Sequence, residues 1–247
     1  MQTMTIGEPV AERCTTGVTA NSGAPKATDL IDLMLKDRKR LDALIRDESL
    51  APELIPKLLG VALMGFTIFG IAATLIVNLE SSLPPWVPRA SWSDGTWANL
   101  SLAYAVGLVA ATGVCLPSFY FYGLLAGLKL SMLQSTAHAT KCLAVTSMIL
   151  VGVLPIYVAV SLGMIVFTAP AEWQRLTTTL GLALPFLAGL WGVKTLFLGF
   201  TEFGDSLPGS YKAERALFLR RLTVAWAGCY TAVTPLMIFW LWTRLSG

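Results

Sequence analysis

Five runs without a charged residue constrain the fold of this chain more than any other feature. They cover residues 58–79, 95–128, 142–171, 176–193 and 222–243. A helix needs roughly 18 to 20 apolar residues to cross a hydrocarbon layer of about 30 Å, and each run meets or nearly meets that length. The sequence therefore predicts an all-α polytopic membrane protein with five transmembrane helices, at about residues 57–79, 99–130, 142–168, 176–200 and 222–243.

Composition supports this interpretation and narrows the set of partners. Hydrophobic residues make up 55% of the chain and charged residues only 13%, about half the charged fraction of an ordinary soluble domain. The net charge of +3 comes from basic residues that are scattered and balanced by nearby acids, so it does not indicate nucleic-acid binding. Four cysteines without a CxxC pair do not indicate a disulfide framework or a zinc site. We therefore expect the lipid bilayer as a partner, and no cofactor, metal or nucleic acid.

The N-terminal region divides into two segments. Residues 1–27 lack the apolar core of about 7 to 15 residues that a secretory signal needs, so we expect a disordered cytoplasmic tail. Residues 28–50 are expected to form an amphipathic cytoplasmic helix, because apolar side chains recur there at helical spacing. Those side chains are Leu30, Ile31, Met34, Leu41, Leu44 and Ile45. Residues 51–247 then form the five-helix transmembrane domain.

Charges of both signs alternate along residues 28–50 and leave two interpretations open. Asp32 with Lys36, and Asp42 with Arg46, are acid-before-base pairs that each add about a few tenths of a kcal/mol to a helix. The helix either lies on the cytoplasmic membrane surface or docks a partner, or it is a solvated helix that covers the protein's own cytoplasmic face. Its polar face is not the basic one that anionic lipid selects.

Basic residues predict the orientation in the membrane. Fourteen of the 18 Lys and Arg residues fall in residues 1–57, 129–141 and 200–221. Because cytoplasmic loops carry the excess of basic residues, we expect a multi-pass protein with the N-terminus inside and the C-terminus outside. Tryptophans near the predicted outer ends of the spans fit interfacial anchoring. They are Trp86, Trp92, Trp97, Trp173, Trp240 and Trp242.

Four of the five predicted spans contain a proline near the middle. These prolines are Pro117, Pro155, Pro185 and Pro235. Proline removes a backbone hydrogen bond and bends a helix. Such prolines are common structural kinks, but aligned prolines also mark broken helices around a transport site. The second run is too long for one perpendicular crossing, so it is either one helix bent at Pro117 or two segments.

Small residues four positions apart predict close helix packing. Gly123 with Gly127 in the second span, and Ala188 with Gly192 in the fourth, form small-xxx-small faces. Such faces let two helices approach closely, within one chain or between two copies. We therefore expect other membrane protein subunits or a homo-oligomer among the partners.

Polar residues inside the predicted spans are few. Lys194 is the one charged residue in the core of a span, and it either extends to the inner headgroups or pairs with Glu202 or Asp205. Ser118 follows Pro117, and its hydroxyl is expected to bond to a carbonyl of its own helix. These residues are the candidate functional polar groups.

Catalytic signatures do not occur in the sequence. It contains no HExxH, GxSxG or P-loop motif and no paired aspartates within the spans. His138 is the only histidine, and we expect it in a cytoplasmic loop without a nucleophile motif beside it. The sequence therefore predicts no catalytic site and a protein that is not an enzyme.

Two segments resemble a known group of proteins. Residues 112–130 read TGVCLPSFYFYGLLAGLKL, and residues 36–48 read KDRKRLDALIRDE. With the small residues of the first span, they resemble an uncharacterised group of bacterial inner-membrane proteins that have a charged N-terminal helix and a CLPS-aromatic motif in the second span. The five-span plan is also similar to that of the Yip1 family, in topology alone. The resemblance implies a multi-pass protein of the cytoplasmic (inner) membrane of a bacterium and carries no site residues.

These patterns favour an integral membrane protein that acts as a scaffold, an assembly component or a partner-binding component. Charged residues concentrate in the N-terminal helix and the inner loops, which we expect to form the working face. The alternative is a transporter or channel component that uses the proline-kinked helices and Lys194.

Overall fold

Helices make up all the regular structure in the described part of the chain. The computed structural model describes residues 27–79, 97–125, 131–204 and 212–246. In chain order the helices are α1 (Ala27–Lys36), α2 (Arg38–Arg46), α3 (Ala51–Leu79), α4 (Trp97–Leu125), α5 (Met132–Val166), α6 (Ala171–Gly204) and α7 (Lys212–Ser246). Helices α3 to α7 are each long and apolar enough to cross a membrane, which confirms the predicted all-α, multi-pass fold class. The predicted tail up to residue 26, together with Trp86 and Trp92, lies outside the described residues.

Helices α3, α5, α6 and α7 begin before their uncharged runs, and the start of α5 shows why. The sequence predicts a loop around His138, whereas α5 already begins at Met132. The Ser131 side chain accepts a hydrogen bond from the Gln134 N–H, and the Gln134 side chain accepts one from the Ser131 N–H. Such a capping box starts a helix even where the following turn is polar. The prediction that His138 lies in a loop is therefore wrong.

The prolines lie inside continuous helices. Helix α4 passes through Pro117 and reaches Leu125 as one helix, so the described part of the second run is not two segments. Pro155, Pro185 and Pro235 likewise lie within α5, α6 and α7. Each proline removes one backbone hydrogen bond without ending its helix.

Helices α3 and α4 are the most enclosed members of the bundle. In the most apolar window of each, 56% of the residues are buried, against 17%, 28% and 18% in α5, α6 and α7. Helix α3 packs most extensively on α5 and also on α4, while α7 packs on α4 and α6 packs on α5. The outer three helices therefore present most of their apolar surface outward, where a bilayer covers it.

Consecutive spanning helices run in opposite directions, so their starts alternate between the two ends of the bundle. Asn99, near the start of α4, donates a hydrogen bond of 2.8 Å to the Leu245 carbonyl near the end of α7. Helices α3, α5 and α7 therefore begin at the end of the bundle that carries α1 and α2. We call this end the N-terminal side and the opposite end the far side.

The closest approach between α3 and α4 occurs at Gly70. A Cβ atom at Gly70 would lie 2.6 Å from Ser101 Cα, which is a backbone atom and cannot rotate away. Ser101 Oγ also donates a hydrogen bond of 3.1 Å to the Thr67 carbonyl on α3. A glycine facing a serine thus lets the two helix backbones touch, as in other close helix pairs in membranes.

Gly70→Ala is expected to lower the free energy of unfolding by about 1 to 3 kcal/mol, because the added methyl group forces α3 and α4 apart. Thermal unfolding in detergent measures the loss as a lower Tm. Gly60→Ala is the matched control on the same helix, where a Cβ atom meets nothing within 4 Å. This control is expected to keep or raise Tm, since Ala favours a helix over Gly by about 1 kcal/mol. Equal Tm values for the two variants would contradict the close packing.

Candidate functional site

Helices α1 and α2 form one amphipathic unit with a break at Asp37. Where the sequence predicts a single helix over residues 28–50, α1 ends at Lys36 and α2 starts at Arg38. The Asp37 side chain accepts a hydrogen bond of 3.1 Å from the Arg40 N–H. Short polar side chains compete in this way with helical backbone bonds, which explains the break. We refer to these two helices together as the helix pair α1–α2.

The apolar face of the helix pair α1–α2 is buried against the N-terminal side of the bundle. Its main contact residues are at most 4% exposed and share one hydrophobic core with residues of α3 and α5. They are Leu30, Met34, Leu41 and Ile45. Burial of each aliphatic side chain contributes about 1.5 to 3 kcal/mol. The apolar face of this segment thus covers residues of α3 and α5 in the same chain, while the role of its charged face stays a prediction.

A buried ion pair joins α2 to α5. Lys141 Nζ lies 2.5 Å from Asp42 Oδ1, and the two side chains are 5% and 11% exposed. Beside the ion pair, Gln134 Nε2 donates a hydrogen bond of 3.2 Å to the Arg46 carbonyl. Asp42 and Lys141 are 99 positions apart, so no helical spacing rule relates them. The sequence indicated only the local pair of Asp42 with Arg46, and it missed Lys141.

The ion pair selects one docked position for the helix pair α1–α2. Each buried charge loses its hydration, so the intact pair adds little to stability overall. Removal of one partner costs about 3 to 5 kcal/mol, because the other charge stays buried without compensation. A shifted α2 that still covers Lys141 would separate it from Asp42 and leave the lysine buried without its partner.

His138 belongs to the same contact between α2 and α5. It lies on α5 one turn before Lys141 and is only 2% exposed. The charges of Lys141, Asp42 and Arg46 are close enough to act on its imidazole ring. The only histidine of the chain is thus a buried member of the docking contact between two helices.

A hydrogen-bonded turn at Asp47 leads from α2 toward α3. Ser49 donates two hydrogen bonds to Asp47 Oδ1, one of 2.6 Å from its Oγ and one of 3.1 Å from its N–H. Both bonds hold the pKa of the Asp47 carboxyl group below its usual range, because they stabilise the charged form. This turn limits the directions in which the helix pair α1–α2 can leave the start of α3.

Of the predicted polar site, the structure describes the side chain of Lys194 but not those of Glu202 and Asp205. Lys194 lies on the exposed surface of α6. The side chain of Glu202 and the whole of Asp205 lie outside the described residues, so their pairing with Lys194 stays a prediction. An exposed lysine near the N-terminal side of the bundle fits the interpretation that its ammonium group extends to the headgroups.

Ser118 follows Pro117 at a contact between α4 and α7. Its Oγ donates a hydrogen bond of 2.7 Å to the Cys115 carbonyl, the kind of backbone bond that the sequence predicts. The same carbonyl accepts a hydrogen bond of 3.0 Å from Trp226 Nε1. Trp226 is 2% exposed and stacks on Tyr230, with ring centroids 5.4 Å apart. Sequence reasoning missed Trp226, because its uncharged run also contains Trp240 and Trp242 and does not single it out.

The predicted packing residues of α6 lie against α5. Ala188 is buried, and a Cβ atom at Gly192 would lie 2.9 Å from Cys142 Sγ and 3.0 Å from the Cys142 carbonyl oxygen. In α4, Gly123 is buried, while Gly127 lies outside the described residues. The small face of α6 is therefore occupied within the chain.

Neither the described metal-ligating side chains nor the comparisons with known proteins assign a ligand or a family to this chain. Among residues 27–79, 97–125, 131–204 and 212–246, no group of three or more His, Cys, Asp or Glu side chains is placed to hold a metal ion. The chain matches no family model, no curated protein and no solved structure. The resemblance to the bacterial inner-membrane group therefore rests on the quoted residues alone.

Asp42→Asn is expected to lower the free energy of unfolding by about 3 kcal/mol, because Lys141 then stays charged and buried without its partner. The double variant Asp42→Leu/Lys141→Met is expected to recover most of this loss, since it removes both charges. Thermal unfolding in detergent measures the change in stability. Protease protection of residues 27–46 measures whether the helix pair α1–α2 stays docked.

Lys36→Gln is the control for this measurement. Lys36 Nζ lies 3.0 Å from Asp32 Oδ2, but the two side chains are 75% and 63% exposed. Loss of such a surface pair costs at most about 0.5 kcal/mol. If Asp42→Asn were as stable and as protected from protease as Lys36→Gln, the buried ion pair would not hold the helices in place.

Proposed function

We propose that this chain is an integral protein of a bacterial inner membrane that binds other proteins as a scaffold or assembly component and has no catalytic activity. The observation that carries the proposal is the docked helix pair α1–α2. Its apolar face is occupied by the protein's own bundle, and the buried ion pair sets its position. Its charged face is therefore presented outward in one orientation.

The outward face has the composition of a protein-binding surface. Asp32 and Lys36 of α1 and Lys39 of α2 are exposed on it, and Leu35 beside them is 66% exposed. Charges of both signs around one apolar side chain suit a protein with complementary charges better than they suit a membrane, which selects a basic face. Because the helices are already held in place, binding orders few additional groups and costs little conformational entropy.

The proposed orientation puts this face in the cytoplasm. Lys39, Arg40 and Arg46 belong to α2, and Arg220 and Arg221 lie near the start of α7, so all five residues belong to the N-terminal side of the bundle. Such a concentration of basic residues favours the cytoplasmic side of a membrane. Another subunit of a membrane complex or a second copy of the chain is the proposed partner class.

Transport remains the alternative proposal. Discontinuous helices around a central site are typical of that function. Helix α4, however, continues through Pro117, and Lys194 lies on the exposed surface of α6. Ion or solute flux in liposomes that is abolished by Lys194→Met in a folded protein would favour transport over the scaffold proposal.

Lys39→Glu/Arg40→Glu tests the scaffold proposal by reversing the charge of the outward face. A photoreactive amino acid at Leu35 is expected to give crosslinked products of defined mass in membranes, and the charge reversal is expected to abolish them. The Tm should hardly change, because exposed substitutions alter stability by about 0.5 kcal/mol or less. Deletion of residues 28–48 is a less specific test, since it also uncovers the core of the bundle.

Two controls make the crosslinking result interpretable. The same photoreactive group at Leu162, an exposed residue of the spanning helix α5, reports contacts with lipid and neighbouring helices. Arg175→Glu changes a charge at the start of α6, on the far side. Products of equal yield from Leu35 and Leu162, or products that survive the reversal at Lys39 and Arg40, would show that the outward face binds no partner.

A further inference from the structure

A groove of about 490 Å³ opens on the surface of α7 near its start. Of the side chains that the structure describes, two arginines and three apolar residues line it, and these five are exposed. They are Leu217, Arg220, Arg221, Val224 and Ala225. The groove thus combines two permanent positive charges with an apolar wall.

The rotation of α7 directs this face away from the bundle. Trp226 donates its hydrogen bond to the Cys115 carbonyl, and Tyr230 lies one turn later on the same side of the helix and contacts Thr112. At 100° per residue, Leu217 and Val224 lie on the opposite side of α7 from Trp226. The contacts of α7 with α4 therefore leave the groove on the outer surface.

The groove lies at a membrane boundary. The uncharged run of α7 begins at residue 222, directly after Arg221, and extends to residue 243. Arg220 and Arg221 therefore lie at the level of the headgroups, while Val224 lies one turn deeper, where acyl chains begin. Exposed apolar residues such as Leu236 and Phe239 continue the outer surface of α7 through the hydrocarbon layer.

We propose that this groove binds the phosphate headgroup of an anionic phospholipid. Guanidinium groups donate paired hydrogen bonds to phosphate oxygens, and they keep their charge at all physiological pH values. The apolar side chain of Val224, one turn deeper than the arginines, contacts the upper part of the acyl chains. Basic pockets at the cytoplasmic ends of spanning helices have the charge and depth that such headgroups require. A phospholipid fits better than a soluble anion, because the apolar wall continues into the bilayer.

Native mass spectrometry of the full chain in detergent tests this site. Phosphatidylglycerol and phosphatidylcholine with identical acyl chains are added at equal concentrations, so that the two lipids differ only in the headgroup. The wild-type protein is expected to bind phosphatidylglycerol in preference. Arg220→Gln/Arg221→Gln is expected to reduce that preference by roughly thirtyfold, at about fivefold for each basic residue.

Two further variants separate the site from general charge effects. Arg244→Gln removes one positive charge from the far-side end of the same helix, where the guanidinium group lies 5.6 Å from the centre of the Trp240 ring. It is expected to keep the wild-type preference. Arg220→Lys/Arg221→Lys keeps both charges and is expected to retain most of the preference for phosphatidylglycerol. This variant also provides a folded protein with altered side chains at the site if the glutamine variant does not fold.

Three outcomes would overturn the proposal. The first is equal binding of the two lipids by the wild-type protein, and the second is a preference that survives in the folded glutamine variant or is lost equally in Arg244→Gln. A test of ionic strength replaces the glutamine variant where that variant does not fold. In that case, a wild-type preference for phosphatidylglycerol that does not weaken as ionic strength rises would overturn the proposal in the same way. The third is a dimer that disappears in the glutamine or lysine variant without a change in lipid preference, which would assign the groove to a second copy of the chain.

Discussion

The absence of water inside a bilayer is the constraint on which the rest of this structure depends. Backbone polar groups must be satisfied within the protein, so the chain crosses as helices, and side chains satisfy the groups that prolines leave without a partner. In the turn that contains Pro117, the Cys115 carbonyl accepts hydrogen bonds from the side chains of Ser118 and Trp226. Hydrocarbon also removes the hydrophobic drive between helices, so their association depends on close packing and on bonds between helices. The contact at Gly70 and the hydrogen bond of 3.1 Å from Tyr104 Oη to the Leu182 carbonyl supply both.

The sequence predicts the five spanning helices well, because the cost of burying charge in hydrocarbon marks every span by a long uncharged run. It predicts the helix ends poorly. The start of α5 depends on two reciprocal bonds between Ser131 and Gln134, and the break at Asp37 depends on one side-chain oxygen. Individual hydrogen bonds of this kind cannot be predicted from the hydropathy of the sequence.

The contact between the helix pair α1–α2 and α5 is harder still to predict. Lys141 looks like an ordinary basic residue beside a span, and Asp42 already has an arginine four positions later. Only the folded arrangement brings the lysine and the aspartate together and buries both. The packing of Gly192 against Cys142 is similar, since the small-residue pattern shows that a partner helix exists without showing which one it is. The two proposed binding surfaces depend on such contacts, because docking orients the charged face of α2 and Trp226 orients the groove of α7.

The distance in sequence between the two partners of the buried ion pair also sets an order of events during synthesis. Asp42 is translated 99 residues before Lys141 and therefore waits through the insertion of two spans before its partner exists. During that interval the apolar side chains of α1 and α2 have no complete surface to cover, and a chaperone or the membrane surface is available to them. The N-terminal helices can close onto the bundle only after α5 has started to form. Their complete docking thus requires two inserted spans and the first turns of the third.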